Sequence, residues 1–445
     1  MSCIYQQTSK GVSAVNTFRI IRFVLFLLIG AALLAACLSN EPPAPPTATP
    51  VPTVTPAPTA SATPASVVAQ PPEDDSSLRR TLSAIGRRVS LLRGLSPTSD
   101  IVPIFMERSE LQSFLITKFE EEDREDIFKA QQLMSMLNLI PPGLDLFETL
   151  IATYEEQVLG IYDYDTESLY VVGSDAEFGV IEETTYAHEF QHALQQQHFS
   201  LSSLTEAVEG DSEASAALSA LFEGDAYVTG GAYISAHISL FEIMELIALG
   251  EDTPVFDSLP EAVQKSFLFP PVWGTAFVQA LVEVGGFSAI DQAFENPPTT
   301  TEQIMHPEKY LAQERALPVT LQDLTSVLGD GWTEIDRDVM GEFGLLVYLE
   351  EALSEIDAAE AVAGWGGDAY VLLEGLAGER ILVILSAWDT EKDAQEFFAV
   401  ALAPLEGRQD QRYAGIQGNQ VLMIIAPTVE LQDTILAQFP GFQAP

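Results

Sequence analysis

HEFQH, at residues 188–192, lies within a segment, residues 184–198, that contains neither Gly nor Pro. Such a segment favours a continuous helix, and on a helix two side chains four residues apart lie on the same face. His188 and His192 can therefore reach one zinc ion together. Glu189 lies on the neighbouring face, where a general base can take a proton from a zinc-bound water. The motif predicts a catalytic zinc site.

The same segment carries an apolar stripe on the side away from the histidines. Tyr186, Phe190, Ala193 and Leu194 recur at helical spacing. One face of the predicted helix is therefore expected in the core, and the other is expected to carry the chemistry. The structural alternative is an amphipathic helix whose histidines only border a polar face.

A catalytic zinc needs a third protein ligand, with one position left for water. Glu223 lies on the next predicted helix, residues 211–228, so its carboxylate can approach from a separate element. His198 is the other candidate. It follows the run QQQ at residues 195–197, which favours continuing the helix and would place its ring about 9 Å beyond His192. Glu209 and Glu213 are weaker rivals.

The combination of HExxH with a Glu on a later helix resembles the gluzincin metallopeptidases. The resemblance covers roughly residues 155–310. It implies that the two histidines of the motif and Glu223 bind zinc, that Glu189 activates the water, and that the substrate is a peptide or protein.

One position departs from the gluzincin pattern. Gluzincins often place an Asp four residues after the ligand Glu to orient a histidine, and here that position is Tyr227. Asp225 or Asp211 can supply the carboxylate instead. With His198 as the third ligand, the chain would instead resemble the metzincins, whose signature has a Gly where Gln195 stands.

A His-Pro pair follows further along the chain, within TEQIMHPEKY at residues 301–310. It is similar to the His-Pro element that follows the third ligand in some integral-membrane gluzincins, such as the CAAX-processing proteases. Amide hydrolysis builds negative charge on the carbonyl oxygen, so a hydrogen-bond donor is expected opposite the zinc. His306 or Tyr310 is the candidate donor. The alternative is a loop histidine and a core tyrosine.

The N-terminus has the pattern of a secretory signal. Three basic residues precede an apolar run, residues 23–36, which is short for a membrane span and has the length of a signal-peptide core. The closing LAAC at residues 34–37 resembles a bacterial lipobox, which implies cleavage before Cys37 and lipid on its sulfur. We expect a lipid-anchored protein on the outer face of the cell membrane; an uncleaved anchor is the alternative.

Composition limits the partners. Residues 37–75 are rich in Pro, Thr and Ala and predict an extended spacer that holds the folded part off the bilayer. The chain has 20 basic and 65 acidic residues, for a formal net charge of −45. Nucleic acid and anionic lipid are poor partners for such a surface.

The remaining length predicts two domains, residues 76–330 and 331–445. Helices are predicted at residues 109–122, 126–137 and 144–156. Two β-rich runs, residues 158–164 and 169–172, predict a hairpin just before the motif helix. Its edge can accept an extended peptide by main-chain hydrogen bonds, which makes it a candidate substrate platform. The alternative is an ordinary surface hairpin.

The C-terminal part has the order ββαββα, with strands predicted at residues 369–374, 380–388, 412–417 and 420–426 and helices at 390–401 and 428–438. The predicted fold class is α+β: a mostly helical, zincin-like metallopeptidase domain with a hairpin upstream of the motif helix, followed by a small α+β domain. The predicted function is a membrane-tethered, extracytoplasmic zinc metalloendopeptidase. The alternative is a non-catalytic envelope scaffold lipoprotein that retains a peptidase fold.

Overall fold

The computed structural model describes residues 23–25, 77–122, 124–173, 178–249 and 253–442. It is a mixed α+β structure, with a helical body that holds a small mixed sheet and a C-terminal five-stranded antiparallel sheet. The predicted fold class is confirmed. Cys37, the spacer and most of the predicted signal peptide lie outside the described residues.

The helices of the body, with the short helix that leads into the C-terminal sheet, follow one another along the chain as α1 Ser77–Arg93, α2 Arg108–Glu122, α3 Arg124–Met136, α4 Leu146–Gln157, α5 Val180–Phe199, α6 Leu201–Ala207, α7 Ser212–His237, α8 Leu240–Leu249, α9 Pro254–Asp257, α10 Glu261–Gly285, α11 Phe287–Glu295, α12 Thr301–Met305, α13 Pro307–Leu311 and α14 Thr325–Leu328. The first three helices predicted above, now α2, α3 and α4, begin and end within two residues of their predicted bounds. HEFQH lies in the middle of α5.

The small sheet contains β1 Phe23–Leu25, β2 Ile104–Met106, β3 Gly160–Asp163 and β4 Ser168–Val172, in the order β1-β3-β4-β2. Strands β3 and β4 form the predicted antiparallel hairpin, β2 runs parallel to β4, and β1 runs antiparallel to β3. Asp163 closes the hairpin turn, because its carboxylate accepts hydrogen bonds from the backbone N–H groups of Asp165 and Thr166.

Helices α7 and α10 cross at two glycines. A Cβ added to Gly224 would lie 2.1 Å from the carbonyl oxygen of Gly274, and one added to Gly274 would lie 2.0 Å from that of Ala220. Only Gly allows two helix backbones to approach this closely. The crossing fixes the height and rotation of α7, which carries Glu223.

The end of α7 differs from the prediction. Gly230 and Gly231 were expected to end α7, yet the helix continues to His237. Glycine only lowers helix propensity, and here tertiary contacts decide, since the buried Tyr233 donates a hydrogen bond to Glu183 of α5.

Helix α10 continues through Pro270 and Pro271, a pair that usually breaks a helix. The buried side chains of Phe269 and Pro271 hold it in the body. Within the described part of the chain, α10 is the helix whose length and composition would allow it to cross a membrane. Core helices share both properties, and Phe277 and Val278 of α10 are fully buried in the body.

The C-terminal sheet has the order β5-β6-β7-β9-β8, and its neighbouring strands are antiparallel. Its strands are β5 Thr333–Asp338, β6 Trp365–Glu374, β7 Arg380–Trp388, β8 Gln411–Gln417 and β9 Gln420–Ala426, and its helices are α15 Gly341–Glu350, α16 Glu355–Val362, α17 Glu391–Val400 and α18 Val429–Leu436. The predicted ββαββα order is found in β6 to α18.

Strand β5 was not predicted, because its sequence TEIDRD lacks an apolar alternation. It joins the sheet through polar contacts, among them a hydrogen bond of 2.6 Å from the hydroxyl of Tyr370 to Asp336. Strand β6 begins four residues earlier than predicted. Its first residues include Gly366-Gly367, which form a bulge against which the backbone of Leu317 packs.

Candidate metal centre

Helix α5 is buried along its middle. Every residue from Thr184 to Gln196 is buried, including the polar ones. The helix begins after Gly179, whose backbone N–H donates to Glu182, and it ends at Ser200, which has a left-handed conformation. Buried polar side chains need partners. Those partners define the site.

Three buried side chains point their ligand atoms at one place. The Nε2 atoms of His188 and His192 lie 3.0 Å apart. Oε2 of Glu223 lies 3.5 Å from Nε2 of His188 and 4.0 Å from Nε2 of His192. All three ligand atoms lie within 4.8 Å of one another. This group, which we call the triad, can hold a metal ion.

The charge states of the triad suit a cation. Burial lowers the pKa of both imidazoles to about 3, so they are neutral and their lone pairs are available at physiological pH. Burial raises the pKa of Glu223 to about 7, with His192 acting in the opposite direction. Within the described structure, Oε2 of Glu223 is buried and accepts no hydrogen bond. A bound cation would supply the electrostatic partner that this buried oxygen lacks.

Gln195 orients His192. Its Oε1 lies 2.8 Å from Nδ1 of His192, and because an amide oxygen can only accept, Nδ1 carries the proton and Nε2 is left to bind metal. The amide nitrogen of Gln195 is itself held, since it donates to Asp225 and to the carbonyl oxygen of Phe222. Gln195 stands where the metzincin signature has a Gly, and its side chain therefore helps to orient a residue of the triad.

Asp225 is the centre of a buried polar network. Its Oδ2 also accepts from Gln191, and its Oδ1 accepts from Nε of Arg93 at 2.6 Å. Arg93 extends the network to Asp291 at 2.7 Å. Asp225 thus acts on His192 through Gln195, whereas Asp211 caps the N-terminus of α7 through the backbone N–H of Ala214.

Glu189 lies against β3. A Cβ added to Gly160 would lie 2.7 Å from Cγ and 2.9 Å from Oε1 of Glu189, and 2.5 Å from Cγ2 of Thr185. Glycine is therefore the residue that leaves room for this carboxylate between the strand and the helix. Glu189 is completely buried.

Tyr164 is a site residue that sequence reasoning missed. It follows β3, it is buried, and its hydroxyl has no hydrogen-bond partner in the described structure. Burial raises its pKa well above 10, and the nearby carboxylates of Glu223 and Glu189 raise it further. Its hydroxyl is thus a protonated hydrogen-bond donor near the carboxyl groups of Glu223 and Glu189. The only signal in the sequence was strand alternation, which places Tyr164 on the face of Tyr162.

The remaining sequence candidates are engaged elsewhere. Helix α5 is unbroken as far as Phe199, and Nε2 of His198 lies 2.7 Å from the carbonyl oxygen of Ser96, so Glu223 rather than His198 joins the histidine pair. Glu213 accepts hydrogen bonds from Thr301.

His306 and Tyr310 are also used away from the triad. Nε2 of His306 lies 3.1 Å from Oε1 of the buried Glu342, and this hydrogen bond is the main cause of the raised pKa of His306. The hydroxyl of Tyr310 donates to the carbonyl oxygen of Asn296. Their predicted role as donors to a reaction intermediate gains no support from these contacts.

Comparison with known proteins adds one match. Residues 327–436 match a domain of unknown function, DUF8575. The match includes all five strands of the C-terminal sheet and helices α15 to α18, and it does not include the triad. No curated protein and no solved structure matches the chain.

Proposed function

We propose that this chain is a zinc-dependent metallopeptidase. The proposal is carried by the buried group of His188, His192 and Glu223, with Glu189 one residue after the first histidine. Two histidines and one carboxylate are the protein ligands of one class of catalytic zinc sites. A zinc ion held there would lower the pKa of a water molecule and polarise the carbonyl group of the scissile bond.

The protein side chains then divide the proton chemistry. Glu189 accepts the proton of the attacking water and returns it to the nitrogen of the leaving amine. Tyr164 donates its hydroxyl proton in a hydrogen bond to the carbonyl oxygen as negative charge develops there. Its raised pKa keeps it protonated over the physiological range.

The outer edge of β3 supports an extended peptide as the substrate. Phe23–Leu25 pairs there antiparallel, with Leu25 opposite Ile161. If the signal peptide is cleaved before Cys37, these residues leave and the edge of β3 becomes available for a substrate strand. Gly160, at the start of β3, packs against Glu189, so a peptide along this edge passes the base.

We also propose that Cys37 carries the lipid that tethers the protein outside the cytoplasm. The basis is the sequence of the apolar run and of LAAC at residues 34–37. Mass spectrometry of the N-terminal peptide from membranes should find acylated Cys37. A Cys37→Ser variant should give no acylated N-terminal peptide. A chain that retains Met1 would contradict cleavage.

The decisive experiment compares zinc content with turnover on an unstructured protein. We expect about one zinc per chain in the wild type, in Glu189→Gln and in Tyr164→Phe, because neither residue is a ligand. Turnover should fall by at least about 100-fold in both variants. His198→Ala is the control, and it should keep both zinc and activity.

If the Glu189→Gln variant hydrolyses the substrate as fast as the wild type, the proposed mechanism is contradicted. Failure of the wild type to bind zinc after reconstitution would favour the non-catalytic scaffold lipoprotein.

A further inference from the structure

A cavity of about 320 Å³ lies between the helical body and the C-terminal part and reaches Glu223. One wall is α7, whose residues Ser212, Ala216, Ser219 and Glu223 face it at helical spacing. The other walls are apolar faces of α3, α4, α10 and α15. Glu223 is the member of the triad that lines the cavity, so the cavity and the metal centre share one side chain.

The cavity is long rather than round. The α7 wall extends from Ser212 to Glu223, which corresponds to roughly 16 Å at the helical rise of 1.5 Å per residue. Its volume corresponds to only about ten water molecules in the liquid. A space of this length and volume can accommodate a single extended chain.

Several polar groups on its walls are already bonded within the protein. The hydroxyl groups of three serines donate hydrogen bonds to backbone carbonyl oxygens: Ser212 to Val339, Ser215 to Val208 and Ser266 to Ala262. Tyr370 donates to Asp336, and Glu213 accepts from Thr301.

The other walls are formed largely by apolar side chains. Met134, Leu137, Leu150, Phe267 and Phe343 are typical of them. A peptide placed here would leave main-chain N–H and C=O groups without side-chain partners, which costs free energy for each group. A hydrocarbon chain carries no such groups.

We propose that this cavity binds one linear acyl or alkyl chain of the substrate, with the polar attachment of the chain toward Glu223 and its methyl end toward Ser212. The shape and the walls of the cavity are sufficient to support chain binding. The assignment of the chain to the substrate rests on the proposed function. The substrate class would then be an acylated peptide that lies along β3 and places its chain behind Glu223.

The test of chain binding uses the full-length, metal-free protein in a steroid-based detergent, which has no linear chain of its own. Neutral alkanamides of increasing length compete with a fluorescent undecanoyl probe. Their affinity should rise about fourfold for each added methylene. It should level off at roughly a dozen carbons, the length that spans the α7 wall at about 1.3 Å per carbon.

A filled cavity provides the specific variant. Ala216→Phe places an aromatic ring in the cavity and should reduce affinity for the longest alkanamide at least tenfold. Gly344→Val, a milder variant at a lining position where a Cβ meets only the Met340 side chain at ordinary distance, should shorten the plateau. Ala316→Phe makes the same substitution at an exposed residue and should change nothing.

Two results would overturn the chain site. One is an alkanamide affinity that does not depend on chain length. The other is an equal affinity in the wild type and in a folded Ala216→Phe protein. With zinc restored, Ala216→Phe should raise KM for an acylated peptide and leave KM for its unacylated form unchanged. Equal KM changes for both peptides would overturn the assignment to the substrate. If chain binding holds but the protein takes up no zinc, the proposed function fails and the chain site stands.

Discussion

At the residue scale, the triad depends on side chains that are not ligands. Gln195 fixes the tautomer of His192, and Asp225 fixes Gln195. Arg93 neutralises Asp225 inside the protein, where an unpaired carboxylate would be costly. Because Arg93 comes from α1, the first helix of the body helps to hold His192 of α5 in its orientation.

Gln195→Leu should weaken zinc binding without removing a ligand. The Nδ1 atom of His192 would lose its acceptor, so the ring would no longer be held with Nε2 toward the triad. Loss of such a partner typically costs 10- to 100-fold in metal affinity. Competition with a chromogenic chelator measures the change. Gln197→Leu, which removes a half-buried Gln bonded to Thr98 and Ser99, is the matched control.

Gly160→Ala should separate metal binding from catalysis. The added methyl group would overlap Glu189 and Thr185, which are its nearest neighbours, so the carboxylate must move. We expect zinc content near that of the wild type and a kcat reduced at least about tenfold, since small displacements of a catalytic group are costly. A variant with normal kcat would show that Gly160 does not position the base.

At the element scale, the crossing of α7 and α10 determines where Glu223 lies. Gly224 follows the ligand directly, and its counterpart Gly274 lies on the helix that carries the proline pair. The two backbones approach too closely for any side chain at either position. Helix α7 also supplies a wall of the cavity, so its placement affects both the metal centre and the chain site.

Two alanine substitutions in α7 should have opposite effects on stability. Gly224→Ala would push the helices apart and should lower the free energy of unfolding by at least about 2 kcal/mol, as overpacking does. Gly230→Ala meets open space within the same helix and should raise it by about 0.5–1 kcal/mol, because alanine has the higher helix propensity. Chemical denaturation of both variants measures the difference. Equal effects would contradict the close crossing.

At the scale of the whole molecule, buried carboxyl groups make stability depend on pH. Burial raises the pKa of Glu213 to about 8, of Asp338 and Glu302 to about 7, and of Asp368 to about 6. These groups lie where the helical body meets the C-terminal sheet, as the contact of Glu213 with Gly341 illustrates. The net charge of −45 adds general repulsion when they ionise.

The metal-free protein should therefore be more stable near pH 5 than near pH 8. Between the ordinary carboxyl pKa and the raised one, the folded chain binds more protons than the unfolded chain, so the free energy of unfolding falls as pH rises. One carboxyl whose pKa is raised by two units contributes about 3 kcal/mol to this fall. Urea denaturation at both pH values measures it.

Glu213→Gln should flatten this dependence, because the amide does not titrate and can still accept a hydrogen bond from Thr301. A stability that rises from pH 5 to pH 8 in the presence of chelator would show that these carboxyl groups are ionised in the folded protein.

The sequence determined the local elements and the core of the site. The Gly-free segment around HEFQH predicted α5, the spacing of its histidines predicted their convergence, and Glu223 was placed on a following helix. The C-terminal order of strands and helices followed from residue periodicity. These features depend on neighbours along the chain, where helical and strand periodicity act directly.

Tertiary structure alone decided the rest. It placed Arg93 beside Asp225 and Tyr164 near Glu223. It also continued α7 past Gly230-Gly231 and paired β5 with the C-terminal sheet. It left His306 and Tyr310 bonded to other groups. Each outcome arises from packing between distant segments, where close contact and burial outweigh the local preference of the chain.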